Sequence, residues 1–594
     1  MDVATLLSKA IAAHQGGDLA EAGQLYQKAV TRDPSNIQGN YLLGSVLLLT
    51  GKPAQGLKHL EKALRLKPDW VPALVNRATA LVRLGRLEEA VASYDQALAL
   101  KPDNAIGWNA RGNALQKLKK LPEALQSTDR AIALKPANAE FHFNRAQILG
   151  LLERYTEALT ANTKSLSLDQ NSARTWCAQG ILLHQLARYD EALAMHEKAL
   201  ALDPALLAAL NAKGNALRAL HRPEEALQIH EQAIAREPVN AQYHLDRAVA
   251  LLSLGEVEKG IASANRALKL DPKSPDAVYN RSLIRLLAGD FPEAWRDYEA
   301  RWQSSSFPSK PSPYKAPHWD GTPLNGCSLL VFAEQGIGDI IQFSRFLPWL
   351  SHAGGPVRFA APPSMHWMFA AYAPAVLVES NVEVGNEPDF QIALMTLPAR
   401  AETTLETIPP PLPLTESLAL VAPRQANEKP TKSVRVGLCW SGSQQIVYSF
   451  DRFMALATLA PLASLEGVVL VSLREAKDNA REAETLATLG IETLGDAVDR
   501  GPDAFIDTAA AILGMDLVIT VDTAIGHLAG SLGVPVWLML KKVPDWRWLQ
   551  NRSDSPWYPS ARLFRQKNRG DWEPVIAEIA EALTNLAAEK ASKA

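Results

Sequence analysis

Prolines at Pro34, Pro68, Pro102, Pro136, Pro204, Pro238 and Pro272 recur every 34 residues, with Gln170 at the one lattice point that lacks proline. A fixed period of this length specifies stacked copies of one supersecondary unit rather than a single globular core. Small residues keep the same phase. Ala90, Ala124, Ala158, Ala192 and Ala226 mark one place where two helices must approach closely, and Ala63, Ala97, Ala131, Ala199, Ala233 and Ala267 mark a second. Gly44, Gly112, Gly180 and Gly214 complete the pattern, with Trp108 and Trp176 four residues before the middle pair. Eight units cover about residues 3–274, and a divergent ninth, containing GDFPEAWRDYEARW, follows at about 275–303.

The pattern closely resembles the tetratricopeptide repeat, a helix-turn-helix unit. That resemblance implies an α-helical solenoid over residues 1–303, with a convex and a concave surface. In the first helix of each unit one lattice position reads Arg77, Arg111, Arg145, Gln179, Lys213, Arg247 and Arg281, and the residue before it includes Asn76, Asn144, Asp246 and Asn280. Two readings stay open. One is a ladder on the concave face that grips an extended peptide by its backbone amides and acidic side chains. The other is a solvated face whose cations pair locally with the many glutamates.

The remaining composition bounds the class. At 594 residues, length alone predicts about three to five domain-sized units. A formal charge of −3 with 21% charged residues gives no global case for a nucleic-acid partner or a membrane surface. Cys177, Cys327 and Cys439 lie far apart with no CxxC spacing, which fits a reducing compartment and opposes a disulfide framework or a structural zinc site. The N-terminus lacks a basic start followed by an apolar core, and no stretch reaches the roughly 18 apolar residues a membrane span needs. The expectation is a cytoplasmic protein with no integral membrane segment and no metal.

Periodicity stops after Trp302, and a Ser- and Pro-rich linker occupies 304–325. Beyond it, short apolar runs alternate with helical segments: LLVFA, VRFAA, DFQIALM, VRVGLCW, VVLVSL, DLVITV and VPVWLML. Uninterrupted apolar strands are buried on both faces, so the spacing predicts parallel sheets covered by helices. A second Pro-rich break near 407–432 divides this α/β region into halves at 326–430 and 431–594, the latter with a terminal helix. Ligands of such sheets bind beyond the carboxyl ends of the strands.

Two strand-end turns carry chemistry. In FAEQGIGDIIQF, Gly336 and Gly338 allow a tight turn, but Ile341 stands where a dinucleotide fingerprint has its third glycine. Asp339 is then either an acid stabilised by the start of its helix or a general base facing a cleft. In VITVDTAIGHLAGS, a helix begins near Ala524 with small residues such as Gly526, so its free N–H groups suit a diphosphate, and His527 could donate to it. Alternatively Asp522 or Thr523 caps the helix and His527 is a partly buried polar residue. Ser441 and Gly442 in CWSGS, Asp451-Arg452, and PDWRWL also fall at or just after strand ends, the last reading as a structural seal between the halves.

The segments WDGTPLNG, EQGIGDIIQFSRFLPWL, RVGLCWSGS, DTAIGHLAGSLGVPVWLML and PDWRWL with DSPWYPSARLFRQ together resemble bacterial tetratricopeptide proteins that carry a heptosyltransferase-like (family 9) glycosyltransferase. More distantly they are similar to protein O-GlcNAc transferases. The resemblance implies a GT-B fold of two Rossmann-like halves, a nucleoside-diphosphate sugar as co-substrate, no further cofactor and no required metal. It assigns Asp339 as the general base. Gly336, Gly338, Ser441, Gly442, Arg452, Asp522, Thr523, Ala524, Gly526 and His527 would surround the nucleotide sugar. The loop SQQIVYSFDRF departs from the family's basic, Asn-rich pattern, with Phe453 in the place of a serine. The expected function is an inverting, metal-independent glycosyltransferase acting on a protein acceptor presented by the repeats. The alternative is a non-catalytic repeat scaffold with a degenerate transferase-like region.

Overall fold

The computed structural model describes residues 1–307, 312, 314–372, 376–379, 387–421, 432–442, 451–474, 480–494 and 505–593. The chain divides into two compact units, Met1–Ile229 and His230–Ala594.

The first unit is a run of helical hairpins in which 13- and 14-residue helices alternate, beginning with Val3–Gln15 and Leu19–Arg32 and reaching Ala173–Gln185 and Tyr189–Leu202. Asp2, Asn36, Asn104, Asn138 and Ser172 start first helices by accepting a backbone N–H, which removes one orphan donor per helix. The lattice alanines Ala90, Ala124, Ala158 and Ala192 are fully buried. A Cβ on Gly44 would lie 2.7 Å from Leu60, and one on Gly180 would lie 2.5 Å from the His196 ring, so glycine there sets how closely paired helices pack. The lattice prolines end the second helices, and their carbonyls serve the next one. Asn40, Trp108 and His142 bond the carbonyls of Pro34, Pro102 and Pro136 at 3.0, 2.9 and 2.8 Å. Trp176 makes the same bond to Gln170 at 2.8 Å, which explains why the lattice survives there without proline.

The second unit includes the last repeats, Ala241–Leu254 with Val257–Leu270 and Pro275–Ala288 with Phe291–Tyr298, and continues, among the described residues, into ten strands. A four-stranded parallel sheet is formed by β1 (Leu329–Phe332), β2 (Val357–Ala360), β3 (Val376–Glu379) and β4 (Phe390–Ala393), in the order β3-β2-β1-β4. A six-stranded parallel sheet is formed by β5 (Val434–Cys439), β6 (Val468–Ser472), β7 (Glu492–Thr493), β8 (Leu517–Val521), β9 (Val536–Leu540) and β10 (Ala561–Arg565), in the order β10-β9-β8-β5-β6-β7. β1, β2 and β8 are buried along their whole length, as helix-covered parallel strands must be. The terminal helix Glu573–Lys593 covers the second sheet with Val575, Ile576, Ile579 and Leu583.

The last repeat helix joins the second unit for a physical reason. Phe291, Trp295 and Tyr298 of the final repeat helix are at most 2% exposed. They belong to the same apolar core as Phe343, Trp546 and Trp557, with Trp295 edge-on to Trp546 at 5.5 Å.

Candidate functional site

The six-stranded sheet reverses its winding between β5 and β8, and such a reversal opens a crevice beyond the carboxyl ends of the two strands. Ser441 and Gly442 follow β5 there, and Asp522 and Thr523 follow β8. Cys439 Sγ lies 3.7 Å from Thr523 Oγ1, and Thr523 lies 3.0 Å from Thr520 Oγ1. The ring of Phe453 closes on Gly442, where a Cβ would meet it at 3.2 Å. Thr523 stands at the N-cap of helix Ala524–Ser531 in extended conformation, and its side chain makes no capping hydrogen bond. Arg452 reaches this edge: its Nε donates to the Asp522 carbonyl at 2.6 Å, and its guanidinium lies 3.3 Å from the Asp522 carboxylate. A second guanidinium, Arg474, donates to Ser441 Oγ and pairs with Glu482 at 2.9 Å. Loop positions 443–450 lie outside the described residues.

The turn carrying Asp339 follows β1. Gly336 is the N-cap of helix Ile337–Phe343, and its N–H donates to Asp339 Oδ2 at 2.9 Å. The other carboxylate oxygen is held by Arg547. Arg547 also donates to Gln342 Oε1 at 2.9 Å and Asp545 Oδ1 at 2.8 Å, and lies 4.3 Å over the Trp546 ring. Burial pushes the Asp339 carboxyl up from its ordinary range, while Arg547 and the Gly336 N–H pull it back.

The two turns touch. A Cβ on Gly338 would lie 3.0 Å from His527 and 3.5 Å from the Ala524 backbone, so glycine there lets the two helix starts approach closely. Gly526 likewise packs against Leu538 and Thr520 of the sheet. His527 is 4% exposed, with Nδ1 3.0 Å from the Tyr558 hydroxyl and its ring stacked on Trp548 at 5.3 Å. Burial, with Arg547 and Arg345 nearby, lowers its pKa to about 3, so it is a neutral interior ring.

The basic ladder of the repeats is paired within the array. Arg77 meets Glu61 at 3.8 Å, Arg111 meets Asp95 at 2.6 Å and Arg145 meets Asp129 at 2.7 Å. In the second unit, Arg247 meets Glu231 at 3.0 Å and Arg281 meets Asp297 at 2.7 Å. Each of these five arginines has an acidic partner within the repeats. Asn76 donates to Ser45 Oγ at 2.8 Å and Asn144 to Asn109 Oδ1 at 3.0 Å, each tying one first helix to its neighbour. Asn280 donates to the Asp276 carbonyl at 2.8 Å.

Among the described residues no helix is long and apolar enough to cross a membrane, and no group of three His, Cys, Asp or Glu is placed to hold a metal.

Comparison with known proteins identifies the repeats. Family models described as tetratricopeptide repeat match residues 2–37, 109–173, 211–275 and 250–311, and others 37–69, 78–119 and 173–206. Protein FlbA of Caulobacter vibrioides is 28% identical over 342 residues, covering 53% of this chain and 57% of FlbA, so the match spans little more than half of that relative's length. Among solved structures, YrrB, described as a TPR protein with an unusual peptide-binding site, is 23% identical over 32% of this chain and 97% of its own, with a TM-score of 0.28. A thermophilic TPR protein of Thermus thermophilus is 26% identical over 30% of this chain and 98% of its own, with a TM-score of 0.27. By its period, its helical hairpins and these family matches, the chain is a tetratricopeptide-repeat protein.

Proposed function

We propose that the α/β region transfers a sugar from a nucleoside-diphosphate sugar to a hydroxyl of a protein bound by the repeats. The observation that carries this reading is the reversal of winding between β5 and β8. It gathers Ser441, Gly442, Thr523, a helix start and Arg452 at one crevice. A helix start and a guanidinium at that place suit a diphosphate.

In the reaction, the acceptor oxygen attacks the anomeric carbon as the bond from that carbon to the phosphate oxygen breaks. The nucleoside diphosphate leaves with the electron pair, and the acceptor proton passes to the Asp339 carboxylate. Burial raises the proton affinity of Asp339. Oriented amides and Arg452 would meet the charge that grows on the leaving group, an effect usually worth about 3–4 kcal/mol per donor. The test has two stages. Uridine, adenosine, guanosine and cytidine diphosphates and their sugars are screened for thermal stabilisation of the chain. With the sugar nucleotide that binds, Asp339→Asn is expected to lower transfer by about 10²–10⁴-fold, the usual range for a general base. Transfer at the wild-type rate with an intact fold would remove the assignment.

A second reading, a repeat scaffold without transfer, is favoured by one specific observation. Arg452 is already engaged by the Asp522 carboxylate and carbonyl, so the crevice supplies its own counter-charge. Absence of stabilisation by every nucleotide in the screen would favour it.

A further inference from the structure

The residues that lead into the Asp339 turn are held from outside the sheet. Glu334 is 6% exposed, and both its carboxylate oxygens accept from Arg301, at 3.0 Å from Nε and 2.9 Å from Nη2. The same carboxylate accepts the Met395 N–H at 3.1 Å at the end of β4. Arg301 is fully buried, donates also to Thr396 Oγ1 at 2.8 Å, and lies 4.7 Å from the Tyr298 ring centroid and 4.5 Å from that of Trp302. The next residue, Gln335, has φ 62°, a left-handed conformation that a side chain other than glycine or asparagine disfavours. Its amide donates to the Tyr298 hydroxyl at 2.9 Å. Tyr298 is 2% exposed, and its own hydrogen is directed at Met395 Sδ, 3.9 Å away.

Both holding groups come from the last repeat: Tyr298 ends its second helix, and Arg301 lies in the turn Glu299–Gln303 that follows. A buried ion pair is not the most economical glue, since apolar side chains of the same volume often stabilise as well. What such a pair supplies is a fixed geometry. Here that geometry sits at consecutive residues, one of them strained, immediately before Gly336-Ile337-Gly338-Asp339.

We propose that the last tetratricopeptide unit is a working part of the candidate site. Tyr298 and Arg301 act as positioning residues that hold Glu334 and the left-handed Gln335, and thereby set the Asp339 turn. Neither touches Asp339. Its consequence for catalysis rests on the transferase reading, but the clamp itself does not.

The test therefore uses no substrate. Hydrogen exchange of the full-length chain is followed by mass spectrometry for wild type and Tyr298→Phe, a change that keeps the buried ring and removes only the hydroxyl. Exchange in peptides covering residues 332–340 is expected to rise at least about fivefold, with residues 1–229 at the wild-type rate. In the Tyr298→Phe background, Gln335→Asn, which tolerates the left-handed region, is expected to restore part of the protection. Unchanged exchange over 332–340 would overturn the proposal, as would a rise spread evenly over the chain. Arg301→Lys keeps the charge but loses the fork, and the same local rise is expected. If it unfolds the second unit, Tyr298→Phe alone decides. A null nucleotide screen combined with the local rise would leave the clamp standing and remove only the transferase reading.

Discussion

At the scale of single residues the second unit places two arginines with different duties. Arg301 is fully enclosed with its partner Glu334, whereas Arg547 and Asp339 keep 10% and 17% of their side chains exposed. The first pair is sealed. The second is partly open to solvent. His527, near Arg547, carries a measurable signature. Its folded-state pKa of about 3 is far below the ordinary 6.5, so between those values the unfolded chain binds a proton that the folded chain refuses. Stability contributed by the neutral ring is therefore complete above pH 6.5 and falls as the solution is acidified toward pH 3. The slope is about 1.4 kcal/mol per pH unit, or about 2 kcal/mol at pH 5. His527→Phe keeps a ring to stack on Trp548 and removes the titration. Denaturant midpoints of the second unit measured from pH 7 to pH 4 should then show a flatter acid limb in the variant than in wild type.

At the scale of elements, the repeat hairpins obey one packing rule with varied side chains. Leu60 fills the notch at Gly44, and His196 fills the equivalent notch at Gly180. The histidine is a poorer solution: Nδ1 is buried without a hydrogen-bond partner among the described residues, and burial with His184 nearby lowers its pKa to about 4. His196→Leu copies the Leu60 arrangement. It should stabilise helix Tyr189–Leu202 by about 1–2 kcal/mol, the usual cost of an unpaired buried polar group, and remove its loss of stability between pH 6.5 and 4. Native-state exchange of that helix at pH 7 and pH 5 checks both parts. Elements of this kind are legible in sequence because the signal repeats in phase, and the seven apolar runs are legible because each is predominantly apolar. β7 and β10 are less so: β7 is two exposed residues, and β10 holds two arginines among three apolar residues. The positions of Ser441, Gly442, Asp522 and Thr523 are legible because each follows a strand directly. Arg547, whose partner Asp339 is 208 positions away, leaves no local pattern, and neither does the contact of Tyr298 with Gln335.

At the scale of the whole molecule the last repeat is shared between two architectures, and this dictates where the chain can be cut. A boundary drawn from sequence period falls near residue 303, after the repeats. Phe291, Trp295 and Tyr298, which precede that boundary, bury their rings in the core that also holds Phe343, Trp546 and Trp557. Burying a large apolar side chain stabilises by about 1.5–3 kcal/mol, so these three contribute roughly 5–9 kcal/mol. That is comparable with the whole stability of an ordinary domain, about 5–15 kcal/mol. A fragment of residues 304–594 loses all three rings and leaves Glu334 buried without Arg301. It should fail to give a cooperative melt. A fragment of residues 223–594 keeps the last repeats, beginning at the first residue of helix Pro223–Arg236, and should melt in one transition. Residues 1–303 alone would expose the same aromatic face and should self-associate, whereas residues 1–236 should remain monomeric. Calorimetry and light scattering on the four fragments compare the two boundaries directly. A cooperative melt for 304–594 would show that the repeats merely abut the α/β region, and the coupling through Tyr298 and Arg301 would lose its structural basis.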